Sequence, residues 1–285
     1  MKRTDFRFFE RLRVRWAEID AQKIVFNGHY LMYFDTAVAG YWRALAMPYA
    51  QTMAQLGGDL YVRKATVEYE ASARYDDVLE VGMRCARIGN SSILFSGAVF
   101  RQDELLVSGD LVYVFADPLT QTSKPVPDAL RDILDAFEAG EAMVDVRTGT
   151  WEALGLHAQA IRTEVFIDEQ KIPIEMEWDE ADASALHAVA FNRFGLPLAT
   201  GRLLAHAPGV ARIGRMAAIQ SVRGSGVGRR VLDALMDAAK TRGDRQVLLH
   251  AQTSAQAFYA RAGFVPAGPV FDEAGIAHIE MTRAL

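Results

Sequence analysis

The stretch Val222-Arg223-Gly224-Ser225-Gly226-Val227-Gly228-Arg229-Arg230, continuing into VLDALMDAAK at 231–240, decides the reading of the C-terminal half. A glycine-rich turn opening an amphipathic helix gathers free backbone N–H groups and the positive helix end at one point, which suits a pyrophosphate. Glycine lets the backbone approach phosphate with no Cβ in the way. The spacing is RxxGxG. It is not the dinucleotide-binding GxGxxG, because Arg229 stands where the third glycine belongs and no acidic residue follows at the usual distance in a second strand. A P-loop would need lysine followed by serine or threonine. Downstream, FYARAGF at 258–264 sets Tyr259 on a helix ahead of a tight Gly263-Phe264 exit.

Together the RxxGxG turn and FYARAGF resemble the GNAT superfamily of N-acetyltransferases, which implies acetyl-CoA as acetyl donor. The segments IRTEVFIDEQKIP (161–173), LHAVAF (186–191) and FDEAGIAHIEM (271–281) extend the resemblance. It implies a phosphate cradle at Arg223, Gly224, Ser225, Gly226, Val227 and Gly228. It also implies a strand around Met216–Ile219, with Ala218 and Ile219, pairing with the pantetheine arm, and a cofactor contact at Gln252, where many members carry asparagine. Tyr259 matches the proton donor to the departing thiolate, a task for which a phenol fits because its pKa lies near that of a thiol. The alternative for Tyr259 is a core tyrosine packed beside Phe258. Glu169, Gln170, His187 and His278 are acceptor-side candidates, or structural residues; the acceptor is an amine that the motifs do not identify.

The other half carries VRWAEIDAQKIVFNGHYLMYFDTA (14–37) and LYVRKATVEYEASARYDDVLEV (60–81). These resemble the hotdog-fold acyl-CoA thioesterases of the 4-hydroxybenzoyl-CoA thioesterase type. Thioester hydrolysis needs a carboxylate that attacks or activates water, and N–H donors that polarise the carbonyl. Asp20 matches the family's catalytic aspartate, Tyr30 its tyrosine ten residues on, and the Asn27 N–H the donor to the carbonyl oxygen. One branch uses a tyrosine and a histidine where this chain has Trp16 and Asn27, so that branch's substrate preference is not carried over. His29 either substitutes for the histidine or serves as a helix-start residue. Asp20 either cleaves the thioester or caps a turn in a domain that only holds acyl groups. Glu18 is expected to face solvent. Arg63 and Lys64 either reach CoA phosphates or form a charged strand face.

Length and composition agree with two modules. The chain has 285 residues, 51% hydrophobic and 24% charged, enough for two cores of ordinary size. No run of 18 apolar residues occurs and MKRTDFRFFERLR lacks a signal-peptide core, so no membrane partner and a cytoplasmic location are expected. The net charge of −5 argues against nucleic acid as a partner. Cys85 is the only cysteine, so no intrachain disulfide forms, and it reads as buried filler. The six histidines show no metal-ligand spacing, and no metal or permanently bound cofactor is expected; acyl-CoA and acetyl-CoA are substrates.

The fold class expected is α+β. Residues 10–19 read as a strand, followed by a helix from Tyr30 to Ala46, capped by Asn27 and ended by Pro48. Tyr30, Phe34, Tyr41 and Leu45 give that helix a buried face. Strands follow at 60–70, 78–88, 92–101 and 105–116; Leu79, Val81, Met83 and Cys85 alternate with Glu80, Gly82 and Arg84, the period of a half-buried strand. An antiparallel sheet wrapped around a long helix is the hotdog pattern, placed at 3–140. A helix ends near Ala139, and the small, polar stretch AGEAMVDVRTGTW (139–151) reads as the linker. The mixed sheet flanked by helices of the GNAT fold is placed at 148–285, with strands at 186–194, 197–205, 211–219, 246–251 and 277–283. A homo-oligomer assembled through the hotdog half is expected, since that family completes its cleft with a second subunit.

Overall fold

The computed structural model describes all 285 residues, as two compact units, Met1–Met143 and Val144–Leu285. In the first unit the strands are β1 (Phe8–Arg13), β2 (Asp59–Tyr69), β3 (Val78–Ile88), β4 (Ser92–Arg101) and β5 (Glu104–Ala116), and the helices are α1 (His29–Ala44), α2 (Tyr49–Leu56) and α3 (Asp128–Ala139). The sheet is antiparallel throughout, in the order β1-β3-β4-β5-β2.

It curves around α1, whose Tyr30, Tyr33, Phe34, Ala37, Val38 and Tyr41 are buried. The deepest seat is made by glycine: Gly97 and Gly109 pair across β4 and β5, and a Cβ on either would strike the Phe34 ring at 2.7–2.8 Å. Two missing side chains thus dent the sheet where an aromatic ring enters, and burying that ring contributes about 1.5–3 kcal/mol. Helix α3 lays Leu130, Ile133 and Leu134 inward. Its Glu138 accepts hydrogen bonds from the Tyr41 hydroxyl and the Cys85 N–H. Cys85 is half-buried, and burial pushes its thiol up to about 12.

Four sequence expectations change here. The first strand stops at Arg13 and a 3-10 turn, Trp16–Glu18, replaces the rest. The cause is Glu18, which is buried and does not face solvent: its carboxylate accepts from the Arg15 N–H (2.7 Å), the Arg15 Nε (2.7 Å) and the Tyr33 hydroxyl (2.8 Å). Burial alone would raise its pKa; these hydrogen bonds outweigh that and hold it below the ordinary carboxylate value. Gly28 is the N-cap residue of α1, with no side-chain capping bond, so Asn27 does not cap the helix. Pro48 caps a second helix, α2, that the sequence reading omitted.

The second unit contains β6 (Val144–Gly149), α4 (Trp151–Arg162), a π-helical segment (Thr163–Glu169), the short helices α5 (Ile174–Glu177) and α6 (Ala181–Ser184), β7 (Leu186–Asn192), β8 (Pro197–Ala207), β9 (Val210–Ala218), α7 (Val227–Arg242), β10 (Gln246–Gln252), α8 (Gln256–Arg261), β11 (Val265–Glu273) and β12 (Ile276–Ala284). The sheet order is β11-β12-β10-β9-β8-β7-β6, and only β9 and β10 run parallel. The stretch read as a linker therefore carries a strand: β6 pairs with β7 from Val144 to Gly149. No helix is long and apolar enough to cross a membrane.

Two features of this sheet shape the site. β9 and β10 are paired only up to Ile213 and Leu249. Beyond that Arg215 takes a positive φ of 52° and the register against β8 shifts, so Gly214–Ala218 keep a neighbour on one side only. The second is a buried ion network under α5 and α6. Arg162, 1% exposed, bonds Glu177 and Asp182; Arg202 bonds Asp182 and Asp179; Arg215 reaches Glu177 and Asp179. The Arg162 guanidinium also lies over the Trp178 ring at 4.6 Å. Removing one partner of such a network leaves a buried charge, a loss of about 3–5 kcal/mol, so it fixes the 174–185 segment beside the cleft.

Candidate active sites

In the first unit a cleft of about 370 Å3 is lined by Asp20, Phe26, Asn27, Tyr30, Tyr69 and Glu70, among others. Asp20 sits in a tight loop closed by its N–H to the Ile24 carbonyl (2.9 Å) and the Lys23 N–H to its own carbonyl (3.0 Å). One carboxylate oxygen, Oδ1, accepts the Gln22 N–H at 2.8 Å, an Asx turn. At the start of α1 the His29 N–H is bonded to the Phe26 carbonyl, while the N–H groups of Asn27 and Gly28 have no protein acceptor. A half-buried carboxylate and Asn27 with its open N–H thus share one cleft, and Gly28 with its own open N–H follows Asn27 in the chain.

Tyr30 lines this cleft but is 2% exposed, and its hydroxyl accepts the Ala73 N–H at 3.0 Å. It braces the wall. Tyr69, on β2, donates to the Asn27 carbonyl at 3.3 Å and packs edge-on against Tyr30. The sequence reading passed over Tyr69 and Glu70, although both lie in the quoted VRKATVEYE run. Trp16, 72% exposed and edge-on to Tyr75, and His29, beside Phe26, do not line the cleft. Arg63 and Lys64 are exposed on β2.

In the second unit a cleft of about 550 Å3 lies over the glycine turn, a size in the range of ligand pockets. Gly224 and Gly226 have φ of 84° and 86°, and a Cβ built on either would meet nothing within 4 Å. Their backbone faces open space, as a phosphate cradle requires. Of the residues expected to present N–H groups, Arg223 and Ser225 turn theirs back onto the Gln220 and Val222 carbonyls. Ser225 Oγ also bonds the Val222 carbonyl, and Ser225 does not line the cleft. Gly224, Gly226, Val227 and Gly228 keep theirs open, joined by Arg229 in the first turn of α7. Ala218 lines the cleft and its carbonyl accepts from Arg223 Nε (2.9 Å), while Ile219 is buried with its N–H on the Leu198 carbonyl. The Arg223 guanidinium is clamped by both oxygens of Glu169, at 2.7 and 2.5 Å, which holds Glu169 below the usual carboxylate range.

A second cleft is lined by residues of α5, β9, β10, β11 and β12 and of the loops beside them, among them Gln170, Glu177, Arg212, Arg215, Met216, His250, Gln252, Glu273 and His278. Met216, Ala255 and Tyr259 line both clefts. Tyr259 is 7% exposed and its hydroxyl has no hydrogen-bond partner in the protein; burial pushes its pKa up, so the phenol keeps its proton. It does pack edge-on against Phe258 at 4.9 Å, as a core tyrosine would.

The acceptor-side candidates separate. Gln170 and His278 line the second cleft, and so does Gln252, read from sequence as a cofactor contact, whose amide donates to Gln170 at 2.8 Å. Glu169 instead holds Arg223. His187 is 1% exposed with Nε2 on the Asp182 carbonyl, and burial lowers its pKa. It belongs to the buried network.

Residues 164–285 match the family described as the acetyltransferase (GNAT) domain, and residues 22–108 match the thioesterase superfamily. The uncharacterized N-acetyltransferase YjcF of Bacillus subtilis is 35% identical over 124 residues, covering 43% of this chain and 87% of that protein. A protein of Aquifex aeolicus provisionally named an esterase is 34% identical over 96 residues, covering 34% of this chain and 74% of its own. The acyl-CoA thioester hydrolase YbgC of Escherichia coli is 28% identical over 120 residues, covering 42% of this chain and 89% of its own. The chain belongs to both families: a hotdog domain of the thioesterase superfamily followed by a GNAT acetyltransferase domain.

Proposed function

We propose that the chain is a bifunctional CoA-thioester enzyme, hydrolysing an acyl-CoA in its N-terminal domain and transferring an acetyl group from acetyl-CoA to an amine in its C-terminal domain. The observation that carries the reading is the same in both units: open backbone N–H groups and an acid–base side chain line one cleft. In the first, Asp20 attacks the thioester or activates water, and the Asn27 and Gly28 N–H groups at the positive end of α1 stabilise the oxyanion. In the second, the turn from Gly224 to Arg229 holds the pyrophosphate. The pantetheine arm enters between β9 and β10, and Tyr259 gives its proton to the departing thiolate.

The test is a free-thiol assay on the full chain, once with a panel of acyl-CoAs and once with acetyl-CoA plus a panel of amines. Tyr259→Phe is expected to keep the affinity for acetyl-CoA while slowing transfer about tenfold or more, because it removes a donor and little packing. Unchanged transfer in that variant would return Tyr259 to the core.

We also propose that the hotdog domain assembles at least a dimer. β2 is an edge strand whose outer side has no partner within the chain, with Val62 and Tyr69 more than half exposed on it. Light scattering at micromolar concentration checks this; a monomer contradicts it. A binding-only hotdog domain has one observation in its favour, the Asx turn that already engages Asp20.

A further inference from the structure

The acetyltransferase reading needs something to take a proton from the acceptor, since an aliphatic amine reaches the site as an ammonium ion and only its neutral form has a lone pair to attack with. We propose that His278 is that base. This rests on the acetyltransferase reading and adds a catalytic residue to it.

His278 lies on β12 directly across from Gln252, the last residue of β10, and lines the cleft that Tyr259 closes. Its Nδ1 is 2.8 Å from the Ile276 carbonyl. A carbonyl only accepts, so Nδ1 carries the hydrogen and the lone pair of the neutral ring is on Nε2. Nε2 has no partner in the protein. The ring is stacked on Phe271, 6.0 Å between centroids at 25°, which fixes its plane.

The other charged or titratable groups around this cleft are Glu177, Arg212, Arg215, His250, Glu273 and Tyr259. His250 is differently placed: its Nδ1 lies 3.1 Å from Arg212 Nη2 and 3.3 Å from Glu273 Oε2, and its Nε2 is 3.7 Å from Glu280 Oε2, so charged partners already face both ring nitrogens. Glu177 is held by Arg162 and Arg215. Glu273 is at the rim, its side chain 43% exposed.

The step balances. His278 Nε2 takes one proton from R–NH3+. The amine lone pair forms the C–N bond to the acetyl carbon as the C–S bond breaks, and the thiolate takes the Tyr259 proton. The nitrogen loses a second proton on becoming an amide, which restores Tyr259 through solvent, and His278 returns its proton to water. Overall, an ammonium ion and an acetyl thioester give an amide, a thiol and a proton.

The experiment uses the full chain with acetyl-CoA and follows free thiol with four acceptors. Benzylamine, lysine and spermidine are ammonium ions at neutral pH, whereas aniline is already neutral there. With His278→Ala we expect kcat/KM for the ammonium acceptors to fall about a hundredfold or more. The rising limb of the pH profile should move up towards the acceptor's own ionisation, and added imidazole should restore part of the rate. Aniline should lose much less, and calorimetric affinity for acetyl-CoA should stay the same. An equal loss for both acceptor classes, a limb that stays at its wild-type pH, or no imidazole rescue overturns the proposal while leaving the acetyltransferase reading intact, as does a wild-type protein that accepts aniline alone. A wild-type protein that acetylates none of the four overturns both.

Discussion

Gly226→Val is expected to abolish acetyl-CoA binding by the C-terminal domain and leave acyl-CoA hydrolysis by the N-terminal domain unchanged. Gly226 is the N-cap residue of α7 with a φ of 86°, a conformation a β-branched residue adopts only with strain. A Cβ there meets no protein atom within 4 Å. The substitution therefore creates no clash in the free protein and acts in two other ways. It bends the turn out of the shape that leaves the five N–H groups of Gly224, Gly226, Val227, Gly228 and Arg229 open, and it fills the space where the pyrophosphate would lie. Titration of the full chain with a non-hydrolysable acetyl-CoA analogue measures the loss, as one binding equivalent fewer per chain. An unchanged stoichiometry and affinity would show that this turn is not the phosphate cradle.

How much of this was legible in sequence follows from how each element is held. Strands buried on a face announced themselves by alternation, and β3, β4, β5, β7, β8, β9, β10 and β12 lie within about two residues of where the pattern put them. The two strands missed in the second sheet are its edges. β6 is short and polar, and β11 carries Pro266, Pro269 and a register shift, tolerable only where one side of the strand has no partner. Glu18 was misread because its reason for being buried, Tyr33, is 15 residues away on α1. The glycine turn and Tyr259 were visible because their geometry is local. The Glu169 clamp on Arg223, the Gln252–Gln170 bond and the Tyr69 contact at Asn27 join positions 54, 82 and 42 residues apart, and no local pattern encodes them.

Asp20→Asn separates the two readings of the first domain. If Asp20 is the nucleophile or base, the amide cannot take its place, and kcat for the best acyl-CoA is expected to fall by roughly a hundredfold or more. The fold should tolerate the change well. Asparagine keeps a side-chain oxygen at the same position, so the Asx turn to the Gln22 N–H survives, and the loop bonds between residues 20, 23 and 24 are made by backbone. The one side-chain bond of Asp20 is to the Gln22 N–H, so no partner charge would be left stranded, and the N–H groups of Asn27 and Gly28 proposed as oxyanion donors are untouched. The loss should therefore appear in kcat, with little change in KM or in the midpoint of thermal unfolding, the mark of an interaction made in the transition state. A rate unchanged in Asp20→Asn would mean that the carboxylate only closes its turn. The hotdog domain would then hold acyl-CoA without cleaving it through this residue, and the chain would pair a binding module with an acetyltransferase.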